Sequence, residues 1–230
     1  MADMTFSADR FSGVARLFPV PDLVMFPHVI QPLHVFEPRY RALLAEALDD
    51  DQLIGMPVLA SECEADGDER PELRPIACLG KIISYQTCGS GRSNILLLGL
   101  HRIRLMDELT SGKPFREANV RLIDDVYSPN DDQQRNRVHR ALLTAFKRKL
   151  SRESEAKDCF DELLRGDISL SVLTDIVAHT LDLAASYKAQ LLSEPDVDQR
   201  ARWLLTKLRQ KRRGKLPTSG YGFPPKFSLN

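Results

Sequence analysis

The chain has 230 residues, of which 43% are hydrophobic and 28% are charged, a balance typical of globular domains. Lys+Arg and Asp+Glu both number 32, so the formal net charge is zero, which disfavours a general polyanion-binding protein. No apolar stretch approaches the roughly 20 residues that cross a bilayer, and the N-terminus lacks the features of a secretion signal. Composition therefore predicts a cytoplasmic protein with no membrane partner.

The charge is distributed unevenly along the chain. Residues 1–126 hold 13 Lys+Arg and 19 Asp+Glu, a difference of −6, whereas residues 127–230 hold 19 and 13, a difference of +6. This sign change predicts two differently built halves, and it would allow two copies to associate head to tail as a homo-oligomer. The four cysteines are irregularly spaced and form no CxxC pair, which is typical of reduced thiols.

The start of the chain combines a flexible lead over residues 1–13 with a proline-rich apolar segment, Leu17–Pro27. Proline lacks an amide donor and disfavours a helix, so short extended pieces broken by turns are predicted here and through Ile30–Phe36. Pro38 then opens a segment with apolar residues at helical spacing, which predicts a helix ending near Leu48.

The rest of the first half contains short apolar or alternating segments, which predict strands. The predicted strands are Ile54–Leu59, Cys78–Tyr85, Asn94–Leu98, His101–Leu105 and Ala118–Leu122. Four side chains of the last two strands are expected to point inward: Ile103, Leu105, Val120 and Leu122. The acidic segment Ser61–Glu72 between the first two is expected to be a solvated loop.

Beyond residue 126 the hydrophobic period changes from two to 3.6. Apolar stripes beginning at Val138, Leu170 and Val197 predict helices, and Asp196 with Gln199 resembles a capping box for the last of them. The predicted fold class is therefore α+β. A β-rich domain with one inserted helix spans residues 14–126, a helical bundle spans 127–213, and an extended tail spans 214–230.

Motifs for common enzyme chemistry are missing from the sequence. It contains neither a P-loop nor a Gly-x-Ser-x-Gly nucleophile elbow. Several histidines and cysteines could meet in space, but none shows the ligand spacing of a metal site: His28, His34, His101, Cys63, Cys78 and Cys88. We therefore expect no metal, no cofactor and no catalytic residue.

Three charged motifs allow two interpretations each. The segment beginning at Glu62 imitates half of a calcium-binding loop, but Leu73 occupies the position that needs a bidentate Glu, so a solvated loop is favoured. Glu37 and Arg39 could support acid chemistry or form a charge pair that fixes a turn. The basic run Arg209–Lys215 could contact nucleic acid or be a solvated helix end.

The proline-rich apolar segment favours a binding function. Pro19 and Pro27 interrupt it, so part of its apolar set is predicted to stay exposed beside unpaired strand edges, an arrangement suited to extended peptides. The alternative is that these residues form the β core. The residues predicted to bind peptide or protein are Phe18, Met25, Phe26 and His28.

The order of several motifs resembles the N-terminal (substrate-binding) domain of Lon proteases over about residues 14–212. The resembling segments are Leu17–Pro27, Pro32–Tyr40, the strand containing Gly80, Leu96–Arg104 with Gly99, Lys188–Leu192 and Asp196–Arg200. This resemblance implies a PUA-like β pseudo-barrel followed by a helical bundle. It also implies a role in recognising proteins, with unfolded or extended client segments, and a protease or ATPase, as partners.

The same resemblance implies what this chain lacks. Because the sequence ends at Asn230 without a phosphate loop, we expect a stand-alone, non-catalytic member without the ATPase and Ser-Lys peptidase modules. Residues of the resembling motifs that are expected to be structural are Pro19, Pro27, Phe36, Glu37, Pro38, Arg39, Tyr40, Gly80 and Gly99.

Two other functions compete with protein binding. RNA binding through the PUA-like barrel and the basic helices would be strongly salt-dependent, but the zero net charge and the acidic first half count against nucleic acid as a partner. The other alternative is a small enzyme that uses a pocket without a recognised motif.

Overall fold

The computed structural model describes residues 8, 11–60, 71–129, 132–150 and 168–210. The strands are β1 (Val14–Leu17), β2 (Ile30–Val35), β3 (Leu53–Leu59), β4 (Leu73–Cys88), β5 (Arg92–Glu108) and β6 (Arg116–Ile123). The helices are α1 (Pro38–Asp49), α2 (Asp132–Leu150), α3 (Leu170–Thr180), α4 (Ala185–Ser193) and α5 (Val197–Gln210). The predicted acidic loop up to residue 70, Cys63, Cys159, most of the N-terminal lead and everything after residue 210 lie outside the described residues.

Five strands close into a barrel. The sheet has the order β2-β5-β4-β3-β1-β6, and an additional pairing of β5 with β6 closes the ring. Only β1 and β3 pair in parallel; the other pairings are antiparallel. The prediction of an α+β fold with a β-barrel and one inserted helix is confirmed.

The barrel interior is an apolar cluster to which most of the strands contribute. It contains Ala15, Leu17, Leu53, Ala77, Leu79, Ile103, Ala118 and Val120, with Leu105 and Leu122 partly buried against it. All four side chains predicted to point inward therefore do so. Gly55 leaves room for Leu17, since a Cβ there would lie 3.1 Å from the leucine Cδ2.

Strands β4 and β5 are longer than the sequence predicts. Residues 92–108 form one strand, although Gly99 and Leu100 separate two predicted segments. The register of β4 against β5 shifts at Leu79/Gly80, so a bulge absorbs the interruption and the ladder continues. The hairpin end of this pair extends past the strands that close the barrel, and it pairs there with β2. We call residues 30–35, 81–88 and 92–100 the extension.

The predicted helix after Pro38 is α1, and it begins and ends close to the predicted positions. Proline at its first turn costs no hydrogen bond because that amide has no partner within a helix. Its buried residues are Tyr40, Leu43, Leu44 and Ala47, and the helix packs against β2. On the strands, a second buried set faces away from the barrel interior: Leu33, Val35, Ile54, Ile82, Ile95 and Leu97.

The chain separates into two compact units. Among the described residues, the first contains the strands, α1 and residues 184–193, and the second contains residues 125–183 and 194–210. Helix α4 thus belongs with the barrel rather than with the other late helices: it packs against β4, and Arg102 Nε donates to the Leu192 carbonyl at 3.0 Å. This differs from an undivided helical bundle after residue 126.

The second unit is organised around a buried arginine. Arg200 of α5 is 1% exposed and donates to Asp125 at 2.7 Å and to the Glu194 carbonyl at 3.0 Å. Asp125 also accepts from Ser171 of α3. At the start of α5, Asp196 accepts from the backbone amides of Asp198 and Gln199, which is the N-cap half of the predicted capping box. The Asp196 amide donates to Glu194 Oε1 at 2.9 Å rather than to the Gln199 side chain.

Candidate functional site

Three of the four residues predicted to bind peptide lie in the interior. Phe18, Met25 and Phe26 are each 0% exposed, and the Phe18 ring lies 4.2 Å from that of Tyr40. A contact with a partner requires an accessible side chain, so the expectation that this apolar set is exposed is wrong. The alternative interpretation, that the proline-rich segment is part of the core, describes the structure.

Backbone contacts with β5 explain why the proline-rich segment turns inward. His28 donates its amide to the Gly99 carbonyl at 2.8 Å, and the Gly99 amide donates to the Val29 carbonyl at 2.9 Å. A Cβ at Gly99 would lie 2.1 Å from the Phe26 carbonyl oxygen, so this close approach requires glycine. His28 is exposed with a φ of 63°, and its role in binding stays a prediction.

The turn into α1 is fixed by the residues expected to be structural. Glu37 pairs with Arg39 at 2.8 Å, and the Arg39 guanidinium lies over the Tyr40 ring at 4.6 Å. The Tyr40 hydroxyl donates to the Pro19 carbonyl at 3.2 Å, which ties the helix to the proline-rich segment. Of the two earlier interpretations of Glu37 and Arg39, this geometry corresponds to a charge pair that fixes a turn.

The other residues in that structural set occupy packed positions, except Pro38, which is exposed. Pro27 is buried, Pro38 is the first residue of α1, and Phe36 lies beside His34 with ring centroids 6.0 Å apart. A Cβ at Gly80 would lie 2.7 Å from the Leu97 side chain, so the absence of a side chain there makes space in the second core.

Among the described residues, two of the five exposed large apolar side chains, Ile30 and Tyr85, lie on the extension. Ile30 of β2 is 50% exposed and pairs with Leu98 of β5, which pairs in turn with Lys81 of β4. The next rows along the strands have the same orientation, opposite to the buried Leu33 and Val35. We call the three rows the open face: Ile30, Leu98 and Lys81; Pro32, Leu96 and Ser84; His34, Asn94 and Gln86. Of these side chains Ile30, Ser84 and Gln86 are exposed, Pro32 is buried and the others are half-buried.

The three strand segments that form the open face carry no negative side chain, although Glu37 follows β2 closely and pairs with Arg39. Residues 30–35, 81–88 and 92–100 include Lys81 and Arg92 but no Asp or Glu. At the hairpin turn, Arg41 lies against Gly91, since a Cβ there would be 2.1 Å from its Nη2. Arg41 and Arg92 are both exposed, and we call them the cationic tip. In the last row, His34 Nδ1 and Asn94 Oδ1 are hydrogen-bonded at 2.7 Å.

A separate charged cluster on the barrel is structural. Arg16 of β1 binds Glu46 and Asp51 at 2.9 and 2.8 Å, and Lys113 binds Glu46 at 2.7 Å. Although burial opposes it, hydrogen bonding to Asp50 and Glu46 raises the pKa of Arg16. The hydrogen bond from Lys113 lowers the pKa of Glu46, so this carboxylate stays ionised and is neutralised by its cationic partners.

The described residues also offer little for metal or nucleophilic chemistry. Within residues 11–60, 71–129, 132–150 and 168–210, no three His, Cys, Asp or Glu side chains are placed to hold a metal ion. Cys78 is buried, with its thiol donating to the Leu79 carbonyl at 3.6 Å, and Cys88 is half-buried; neither is in a disulfide. In the same ranges, no helix is long and apolar enough to span a membrane.

Sequence reasoning missed the open face because its signal is spread over three strands. Ile30, Leu96 and Leu98 read individually as members of apolar segments, and only the register places them together. The sequence of β2 nevertheless contains a signal. Its outward positions are Ile30, Pro32 and His34, and the first two of these carry apolar side chains.

Comparison with known proteins gives consistent relatives. The chain is 26% identical over 204 residues to Lon protease 2 of Myxococcus xanthus, covering 86% of this chain and 24% of that protein. It is 27% identical over 192 residues to Lon protease of Haemophilus influenzae, covering 82% and 23%. The chain thus spans about a quarter of the length of the curated relatives it matches.

Solved structures share the fold. The N-terminal domain of Mycobacterium avium complex Lon protease superposes with a TM-score of 0.68 at 17% identity, covering 85% of this chain and 98% of that one. A Lon N-terminal domain protein from Xanthomonas campestris gives 0.59 at 21% identity, covering 84% and 97%. The family model of the ATP-dependent protease La (LON) substrate-binding domain matches residues 14–210. The chain therefore belongs to the LON substrate-binding domain family.

Proposed function

We propose that this chain is a non-catalytic module that binds exposed apolar or extended segments of client proteins through the open face. The observation that carries the proposal is the 50% exposure of Ile30, which lies beside the half-buried Leu98 on the outside of the extension. Family membership supports the same class of ligand. Without a deep pocket, contact with such a face is expected to give modest affinity, which suits transient binding.

The test compares two variants with equally exposed apolar side chains. Ile30→Ser removes the centre of the proposed site, and Met106→Ser removes another side chain that is also 50% exposed. Met106 lies eight residues beyond Leu98 on β5, about 27 Å away along the strand. The probe is carboxymethylated α-lactalbumin, which stays unfolded, and its binding is measured by fluorescence anisotropy.

We expect Ile30→Ser to weaken binding of this probe about fivefold, the effect of removing one partly buried aliphatic contact. Met106→Ser should leave the affinity within about twofold, because a change outside the binding surface removes no contact with the probe. Circular dichroism verifies that both variants fold. Equal affinities for the wild type and Ile30→Ser would reject the open face as the site.

The proposal also includes a second partner, a protein that would receive the bound clients. The matched relatives are Lon proteases, and this chain covers about a quarter of their length. We therefore propose a protease or ATPase as a second partner. Affinity capture of the intact chain from lysate, followed by mass spectrometry, tests this: enrichment of such a partner supports delivery of clients, and its absence argues against it.

RNA binding remains a second candidate because the second unit exposes a set of cations. On α2 and α5 these residues are Arg137, Arg140, Arg148, Arg202 and Arg209. An affinity for RNA that falls by about 10³-fold between 50 mM and 200 mM salt would support phosphate contacts through these helices. No retention at either concentration would reject this candidate.

A further inference from the structure

Strand β2 forms an edge of the sheet. Every other strand has at least two strand neighbours, whereas β2 pairs only with β5 among the described residues. An edge strand presents backbone N–H and C=O groups that another extended chain can use. Because β2 also carries the exposed Ile30, the edge and the open face meet on one strand.

The direction of the β2 backbone groups follows from its pairing. Backbone groups of successive residues in an antiparallel strand point alternately to the two sides. Val29 accepts from Gly99 of β5, so the groups of Leu33 point towards β5 and those of Ile30 and His34 point to the open edge. The outward-pointing position between these two is Pro32, whose ring provides no amide donor.

This proline limits the length of the available edge. Pro32 contributes only its carbonyl, and that oxygen already accepts from the Gln31 side-chain amide at 3.0 Å. The edge therefore offers two N–H donors, from Ile30 and His34, about 14 Å apart. Such an edge accommodates a short strand of roughly five residues and is poorly suited to long sheet-to-sheet association.

The charge near this edge selects among possible partners. Val35, at one end of β2, pairs with Ser93, next to the cationic tip. Arg41 and Arg92 are exposed and form no ion pair with a carboxylate of the described chain. An extended ligand that carries carboxylates beyond its apolar residues would place them near two guanidinium groups.

We propose that β2 binds an extended apolar peptide by strand addition, and that acidic residues at one end of the peptide bind the cationic tip. The inference rests on the proposed function and adds to it the mode of binding and the chemistry of the preferred client. Ile30 and its row would contact alternate side chains of the peptide, while the β2 backbone would hydrogen-bond to its main chain.

Two other occupants fit this edge less well. The C-terminal residues 211–230 contain five Lys or Arg and no Asp or Glu, so the cationic tip would repel them. A second copy of the chain could pair β2 with β2, but each edge would lack a donor at Pro32. Both are distinguishable outcomes of the experiment.

The experiment uses the intact chain and fluorescein-labelled peptides with a core of alternating Val and Thr. One peptide has two Asp at each end, a second has two Lys at each end, and a third is the Asp peptide N-methylated at alternate residues. N-methylation removes the amides on one edge of the peptide while its side chains remain. A fourth peptide is N-methylated at the other alternate residues, so that each edge is blocked once.

We expect the Asp peptide to bind and one of the two N-methylated peptides to bind at least about tenfold more weakly, the effect of two lost backbone hydrogen bonds. The Lys peptide should bind about fivefold more weakly at low salt. Arg92→Glu should remove this charge preference. Arg104→Glu, an exposed position about 40 Å further along β5, should leave it unchanged.

The outcomes separate the inference from the proposed function. If carboxymethylated α-lactalbumin binds through Ile30 but both N-methylated peptides bind as well as their parent, the open face is a client site and strand addition is refuted. If neither the probe protein nor any peptide binds, both proposals fail. Binding that weakens as the protein concentration rises, with a dimer in sedimentation, assigns the edge to a second copy. Tighter binding after removal of residues 211–230 assigns it to the tail.

Discussion

Replacing Gly99 by alanine tests the contact that turns the proline-rich segment inward. The new Cβ would lie 2.1 Å from the Phe26 carbonyl oxygen and 3.0 Å from the Pro27 Cα. Carbon–oxygen contacts in proteins lie near 3.3 Å or beyond, so the segment must move by about 1 Å. Both obstructing groups are backbone, and no side-chain rotation can relieve the contact.

The size of the effect follows from two contributions. Overpacking of a well-packed site costs about 1–3 kcal/mol. The displacement also lengthens the 2.8 Å bond between the His28 amide and the Gly99 carbonyl, which contributes about 1 kcal/mol. We therefore expect Gly99→Ala to lower the free energy of unfolding by about 3 kcal/mol.

Urea unfolding followed by far-UV circular dichroism measures this loss. Trp203, the one tryptophan of the chain, lies on α5 in the second unit, so its fluorescence follows that unit separately. Gly89→Ala is the matched control, because a Cβ there has nothing within 4 Å. If the two variants unfold within about 0.5 kcal/mol of one another, the close approach at Gly99 does not hold the segment.

Three further changes have defined outcomes. Arg200→Met should destabilise the second unit by about 3 kcal/mol, because it leaves a carboxylate without its buried partner, and Trp203 fluorescence in urea would show the shift. Lys113 lowers the pKa of Glu46 below its ordinary 4.5. The ion pair therefore stabilises the folded chain above that pH, and this stabilisation is lost as the pH falls through the folded pKa. Lys113→Met should flatten the profile of stability against pH that acid titration measures in that range. Tyr40→Phe should cost about 1 kcal/mol in thermal unfolding, because the hydroxyl donates to a loop carbonyl; an unchanged midpoint would mean that water replaces this bond.

The sequence predicts those parts of the fold that depend on neighbouring residues. The start of α1 follows from Pro38 and helical spacing, and the inward positions of Ile103 and Val120 follow from alternation. The single long β5 was not predictable in this way, because Gly99 and Leu100 resemble a strand end unless it is known that β4 pairs on both sides of them and leaves Leu100 as a bulge. Local periodicity carries no information on such a partner.

The candidate site depended on the same kind of non-local information. Prolines around Phe26 suggest an apolar segment that cannot fold inward, yet hydrogen bonds to Gly99 make it fold inward. The exposure of Ile30 likewise depends on which residues the sheet order and register place beside it. Three of the residues predicted to bind, Phe18, Met25 and Phe26, therefore lie in the buried part of the proline-rich segment.

Strand β5 pairs with β4 along much of its length and changes its second neighbour from β2 to β6. Amides enclosed by ladders on both sides exchange with deuterium only when the sheet opens, so those near Leu97 should exchange with the slowest rates of the barrel. The outward amides of Ile30 and His34 should exchange from the folded state. Native-state exchange would therefore compare slowly exchanging amides of β5 with rapidly exchanging amides of the neighbouring β2. A ligand that binds this edge would slow the exchange of the β2 amides, so its binding site could be located without any substitution.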